Sequence, residues 1–185
     1  MIRAEELKQA ALDSNADYAA VIETPVIQFH EDVRKACEQN VCGKYDTNWM
    51  GPPAIGPVDK LKEQVLQYRQ GLLFQTVHRT DGSFDMKGMF EAAKSHDTIF
   101  RNFLQKIKSR YPDEDILALD AGCCSYCEKC SYLDNEPCAF PDHALSSVEA
   151  YGMNVAVLMK SVDMPYNHGK GALGFVGMIL FNAAL

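Results

Sequence analysis

Residues 86–124 read Met86-Lys-Gly-Met-Phe90-Glu-Ala-Ala-Lys-Ser-His96-Asp-Thr-Ile-Phe100-Arg-Asn-Phe103-Leu104-Gln-Lys-Ile107-Lys-Ser-Arg-Tyr111-Pro112-Asp113-Glu-Asp-Ile116-Leu-Ala-Leu119-Asp120-Ala-Gly122-Cys123-Cys124. Met86, Met89, Phe90, Ala93, Phe100, Phe103, Leu104 and Ile107 fall on one face of a helix about six turns long. Tyr111-Pro112-Asp113 ends it, because proline lacks an amide hydrogen and disfavours helix in the residue before it. The apolar run 116–119 is too short for a helix and predicts a buried strand. That strand empties through Asp120-Ala121-Gly122 into a cysteine-rich loop.

Outward from this core the elements alternate. Ala4–Leu12 reads as a helix closed by Asp13-Ser14-Asn15, and Tyr18–Glu23 as a strand. A helix over 29–39, with Phe29, Val33 and Ala36 in register, delivers Cys37 near its end. Gly43, Gly51, Pro52, Pro53, Gly56 and Pro57 make 43–57 a loop. Gly56 as N-cap and Pro57 as first helical residue open a helix carrying Val58, Leu61, Val65 and Tyr68. Gly71 ends it, 72–77 reads as a strand, and Asp81-Gly82-Ser83 as a turn. Ser146 and Glu149 form a capping box opening a short helix, and 154–159 and 175–180 are the last strand candidates. Strands separated by helices predict an α/β fold, with α+β as the alternative: a mixed sheet of about five strands flanked by helices, in a single domain over 1–185 with cysteine-rich metal-binding loops.

The chain has 185 residues, 47% hydrophobic and 23% charged, enough apolar surface to bury a core. Lys and Arg total 18 against 25 Asp and Glu, a net charge of −7 that argues against nucleic acid or an anionic membrane as partner. No apolar run approaches the roughly 18 residues that span a bilayer. The start, Met1-Ile2-Arg3-Ala4-Glu5-Glu6-Leu7, lacks a signal peptide's apolar stretch, so the expected location is cytoplasmic. There, an odd set of seven cysteines is poorly explained by disulfides, and their clustering points to metal.

Cys124-Ser-Tyr-Cys127-Glu-Lys-Cys130 is a C-x2-C-x2-C run, with Cys138 eight residues on and Pro141 behind it. Two intervening residues let the backbone curl so that successive thiolates converge. Three such thiolates suit an iron–sulfur cubane, and Cys138 is the candidate fourth ligand. Zinc is the competing metal, although its sites more often use separated Cys pairs. A loop without metal is the third alternative. His143 is a candidate ligand, an outer donor or an exposed side chain. Cys123 is either a buried neighbour or part of another site, since adjacent cysteines diverge.

Cys37-x4-Cys42-Gly43-Lys-Tyr45-x3-Trp49-Met-Gly51-Pro52-Pro53 is a second unusual passage. Together with Cys124-x2-Cys127-x2-Cys130, Cys138-Ala-Phe-Pro141 and Ser146-Ser-Val-Glu149-Ala150, it resembles the predicted metal-binding proteins grouped as domain of unknown function 2284. Cys37, Cys42, Tyr45, Trp49, Pro52, Pro53, Cys124, Cys127, Cys130, Cys138, Pro141 and Glu149 fall on that pattern, which covers nearly the whole chain. The resemblance implies metal binding, with an iron–sulfur cluster, [4Fe–4S], as the expected cofactor. In one place the chain departs: the pattern's cysteine before Pro-Pro is Gly51 here. Cys37 and Cys42 are then ligands or neighbours of the main cluster, a second group with Cys123, or free thiols packed by Trp49 and Tyr45.

No P-loop, dinucleotide fingerprint or nucleophile elbow is present. The glycines at 169, 171 and 174 are expected in a turn between two strands. Glu149 is accounted for by capping, His78 and His96 are expected to face solvent, and His30 and His168 lack recognisable partners. No catalytic dyad emerges. Three function classes follow: a redox, electron-transfer or accessory protein with a closed cluster, an enzyme using an open iron, and a zinc-binding structural or metal-handling protein. A redox or metabolic protein partner is expected; reaction and oligomeric state stay open.

Overall fold

Among the described residues five strands pair into one mixed sheet, and the pairing order explains where the cysteine loop sits. The computed structural model describes residues 1–82 and 85–183; Ser83 of the expected turn lies outside them. In chain order the elements are α1 (Ala4–Leu12), β1 (Tyr18–Glu23), α2 (Glu31–Glu38), α3 (Val58–Val65), β2 (Gln70–Arg79), α4 (Met86–Arg110), β3 (Ile116–Asp120), β4 (Ser146–Ser147), α5 (Val155–Ser161) and β5 (Ala172–Phe181). The sheet order is β1-β2-β5-β3-β4, and a mixed five-stranded sheet is what the sequence leads one to expect. β1 with β2, β2 with β5 and β5 with β3 pair antiparallel. β4 alone runs parallel, to β3, through Leu119↔Ser146 and Asp120↔Ser147.

Both faces of the sheet are covered, so β2 and β5 carry continuous apolar runs rather than alternating ones. On one face Leu72, Phe74, Ile179 and Phe181 meet Leu7 and Ala11 of α1 and Phe100, Phe103 and Ile107 of α4. On the other, Leu73, Leu119 and Met178 meet Leu61 and Val65 of α3 and Leu158 of α5. Gly177 sits beneath the Phe100 ring, where a Cβ would lie 2.6 Å from its Cε2, and this lets α4 approach closely.

The apolar stripe of α4 packs only from Ala92 onward. Met86 and Phe90, placed on it by periodicity, are exposed because the first turns of the helix overhang the sheet. His96, expected in solvent, is 1% exposed. It lies on the stripe, stacked with Phe100 at 5.9 Å and Phe175 at 5.6 Å between ring centres. His168 does have a partner, with its Nε2 3.0 Å from Gln75 Nε2.

Three further expectations are corrected. The run 154–159 is helical: the Asn154 side chain accepts from Val157 N at 3.2 Å, and this cap decides between helix and strand in a run that suits either. α3 ends before Leu66, while Gly71 lies inside β2 opposite Ile22 and Leu180, where a side chain would crowd both. The glycine-rich segment leads from α5 into β5, with Gly174 already inside the strand, instead of joining two strands.

Candidate metal centre

Asp120, the last residue of β3, fixes where the cysteine loop begins. Its Oδ1 accepts from Ala121 N at 2.8 Å, and its carbonyl accepts from Val148 N at 3.1 Å where the chain returns. Buried at 5% exposure, the carboxylate lies 3.1 Å from His96 Nε2, although off the line of that N–H. The opposite ring nitrogen, Nδ1, lies 2.8 Å from Thr76 Oγ1. Burial pushes the neighbouring Asp97 carboxyl up, against the pull of Arg101. None of these residues stands out in the sequence, because their roles depend on partners from β2, α4 and β3. The only cue was a polar residue interrupting a helical apolar face.

Two clasps hold the loop above this floor. On one side Arg101 donates to the His143 carbonyl at 2.6 Å and lies 5.2 Å from the Tyr126 ring centre. Tyr126 stacks in parallel on His143 at 4.7 Å. His143 is exposed at the end of the 3-10 turn Pro141–His143. On the other side the segment 43–57 reaches over. Trp49 Nε1 donates to the Glu136 carbonyl at 2.9 Å, and the indole meets Tyr132 edge-to-face at 4.9 Å. The Tyr132 hydroxyl donates to the Asp46 carboxylate. Tyr132 itself sits on the 3-10 turn Ser131–Asp134 that begins after Cys130 and ends at Asn135 in the left-handed region, φ 56°.

Cys124, Cys127, Cys130 and Cys138 are free, half-buried thiols held between these clasps. Burial pushes the Cys127 thiol up, and its neighbours Cys124, Cys130 and Cys138 add to the rise. Among the described residues no three His, Cys, Asp or Glu side chains stand at single-ion spacing. Thiolates are soft donors that suit both zinc and iron–sulfur clusters.

Cys37, Cys42 and Cys123 line a different cavity of about 310 Å³, together with Asn48, Gly51 and Glu149. The carboxyl end of α2 brings Cys37, and the end of β3 brings Cys123. Burial pushes both thiols up; the Arg34 guanidinium opposes this at Cys37, and the Lys44 ammonium opposes it at Cys123. Gly51 stands where the sequence pattern leads one to expect a thiol. A Cβ there would lie 3.0 Å from Asn48 Nδ2, so the Asn48 amide fills that space.

Glu149 is not part of a capping box. Ser146 belongs to β4, and it is the Ser147 hydroxyl that accepts from Ala150 N at 3.0 Å, at the start of the 3-10 turn Glu149–Tyr151. The Glu149 side chain is instead turned inward, with Oε2 buried and without a partner among the described residues. Burial pushes its pKa up.

Among the described residues no helix is long and apolar enough to cross a membrane. No curated protein and no solved structure matches the chain significantly. A family model does, over residues 20–181, which takes in both cysteine groups and every strand except the first two residues of β1. The chain therefore belongs to the family described as predicted metal-binding protein, DUF2284.

Proposed function

We propose that Cys124, Cys127, Cys130 and Cys138 bind a [4Fe–4S] cluster and that the protein serves in electron transfer or as a redox accessory to a protein partner. The observation that carries this reading is the set of four free, half-buried thiols in one clasped loop. The C-x2-C-x2-C spacing favours iron–sulfur over zinc. A bound cluster supplies reversible one-electron transfer. The chain's own contribution is to hold the loop: Asp120 fixes its start, and Trp49 with Tyr132 and Arg101 with Tyr126 tie it to neighbouring segments. With Cys138 as a ligand the site is closed, which favours a carrier over an enzyme with an open iron.

The test is to purify the protein without oxygen and measure iron, acid-labile sulfide and zinc per chain. About four irons with matching sulfide support the reading. About one zinc without sulfide would replace it with a structural or metal-handling role. Cys138→Ser separates carrier from enzyme: loss of the cluster supports a closed site, and a retained cluster with an altered spectrum supports an open one.

A further inference from the structure

β1 lies at the margin of the sheet: β2 pairs with one side of it, and among the described residues no strand pairs with the other. Thr24 N donates to the Arg69 carbonyl at 3.0 Å, in line with the register Ile22↔Gly71 and Glu23↔Gln70. Antiparallel strands bond through alternate residues, so Tyr18, Ala20, Ile22 and Thr24 turn their amides and carbonyls toward β2. Ala19, Val21 and Glu23 turn theirs away from the sheet, where no hydrogen bond among the described residues reaches them.

The opposite margin is closed off by β4, only two residues long. β1 is six residues long and has no proline or lysine to blunt its edge. Its surroundings are apolar and accessible. Ala19, Ala20 and Val21 are half-buried, while Tyr18 at its start and Val26 just past its end are exposed.

We propose that β1 is a docking edge for an extended segment of a partner protein, which adds as an antiparallel sixth strand and carries Lys or Arg near both of its ends. Three outward amides and three outward carbonyls supply main-chain pairing to such a segment whatever its sequence. Charge supplies the selection. Residues 12–30 contain Asp13, Asp17 and Glu23 and no Lys or Arg, in a chain of net charge −7. Asp17, held by accepting from Val77 N at 2.7 Å, and Glu23 flank the open groups, so a basic side chain at each end of the added strand meets a carboxylate. A second copy of the chain fits worse. Antiparallel self-pairing centred on Val21 sets Glu23 of each copy diagonally against Asp17 of the other, like charge against like at both ends.

The probe is an acetylated and amidated peptide, Lys-Val-Thr-Val-Thr-Val-Lys, with its two lysines spaced as Asp17 and Glu23 are. It is titrated to millimolar concentration into isotope-labelled protein and followed by NMR. The expected result is saturable binding that slows amide exchange at Ala19, Val21 and Glu23, with little change at Ala20 and Ile22, which β2 already protects. The same peptide with its pairing amides N-methylated should bind roughly tenfold or more weakly, because several hydrogen bonds are lost together. Glu23→Gln should weaken binding and flatten its salt dependence. Val21→Pro removes one outward amide hydrogen and no bond to β2, so it should weaken binding roughly fivefold, the worth of one backbone hydrogen bond.

Binding that ignores N-methylation is adhesion by charge alone and overturns the proposal. Unchanged exchange at Ala19, Val21 and Glu23 with millimolar peptide overturns it too. So does a dimer in sedimentation that Val21→Pro dissociates, since a second copy then fills the edge. The methylated peptide leaves the protein unaltered, so the test stands even where Val21→Pro does not fold. No readout involves the cysteines, and this edge and the cluster therefore fail separately.

Discussion

Trp49 links two segments that are far apart in sequence, and replacing it tests whether the 43–57 loop orders the cysteine loop. Trp49→Phe removes the hydrogen bond to the Glu136 carbonyl while keeping a ring against Tyr132. A hydrogen bond of this kind is worth about 1 kcal/mol net. Trp49→Ala also removes the edge-to-face contact, worth about another 1 kcal/mol. At about 1.4 kcal/mol per tenfold, the phenylalanine variant should raise the open population of the cysteine loop roughly fivefold and the alanine variant about 30-fold. Neither residue sits in the main core, so opening should be local and global unfolding should move little. Hydrogen exchange followed by mass spectrometry on peptides covering 123–138 measures this directly, with peptides from β2 as the internal reference. Equal exchange in 123–138 for wild type and Trp49→Ala would falsify the clasp, as would acceleration spread evenly over β2.

The remaining predictions concern the frame. Phe100→Ala empties a fully buried site against Phe74 and Gly177 and should cost about 3–5 kcal/mol, lowering Tm by roughly 6–20 °C in a thermal melt. Gly177→Ala forces the same ring outward and should cost about 1–3 kcal/mol; an unchanged Tm would mean that α4 does not approach as closely as described. Asn154→Ala removes the cap of α5 and should cost about 1 kcal/mol by denaturant titration. Tyr68, buried and hydrogen-bonded to Asp115 at 3.1 Å, has its pKa pushed up to about 12 by burial first and Asp115 second. Its neutral form is favoured in the folded state, so its contribution to stability is complete below the unfolded pKa near 10 and is lost as pH rises toward 12. Tyr68→Phe should shallow the decline in stability over that range.

Much of the frame could be read from the sequence because it follows periodicity. The stripe from Phe100 to Ile107, the proline stop after Tyr111 and the strand into Asp120 are local signals, and local signals survive folding. Residues whose roles depend on distant partners were misread. His96 looked solvent-facing because a helical pattern counts histidine as polar, yet Thr76 and Asp120 provide polar partners inside the core. Glu149 fitted a capping spacing, but two residues of β4 pairing with β3 displaced that helix start and turned the carboxylate inward. The 154–159 run was apolar and short, and a single asparagine hydrogen bond settled its conformation. At the candidate site the spacing of Cys124, Cys127 and Cys130 was plain. The convergence of Cys37, Cys42, Cys123 and Glu149 on one cavity was not, because three separate parts of the chain build it.

The two-residue β4 has a consequence for how the protein behaves when its loop lets go. β3 pairs with β5 along one side, and on the other only Ser146 and Ser147 shield it. The twenty-five residues between Asp120 and Ser146 thus form a loop whose closure is held by the briefest of ladders. Anything that loosens the loop, such as oxidation of its thiols, also frees the cover and leaves β3 as an open edge with unpaired amides and carbonyls. Such an edge is a template for a second chain. Damage at the cysteines should therefore show itself as concentration-dependent association through β3, detectable by light scattering while the rest of the sheet is still folded.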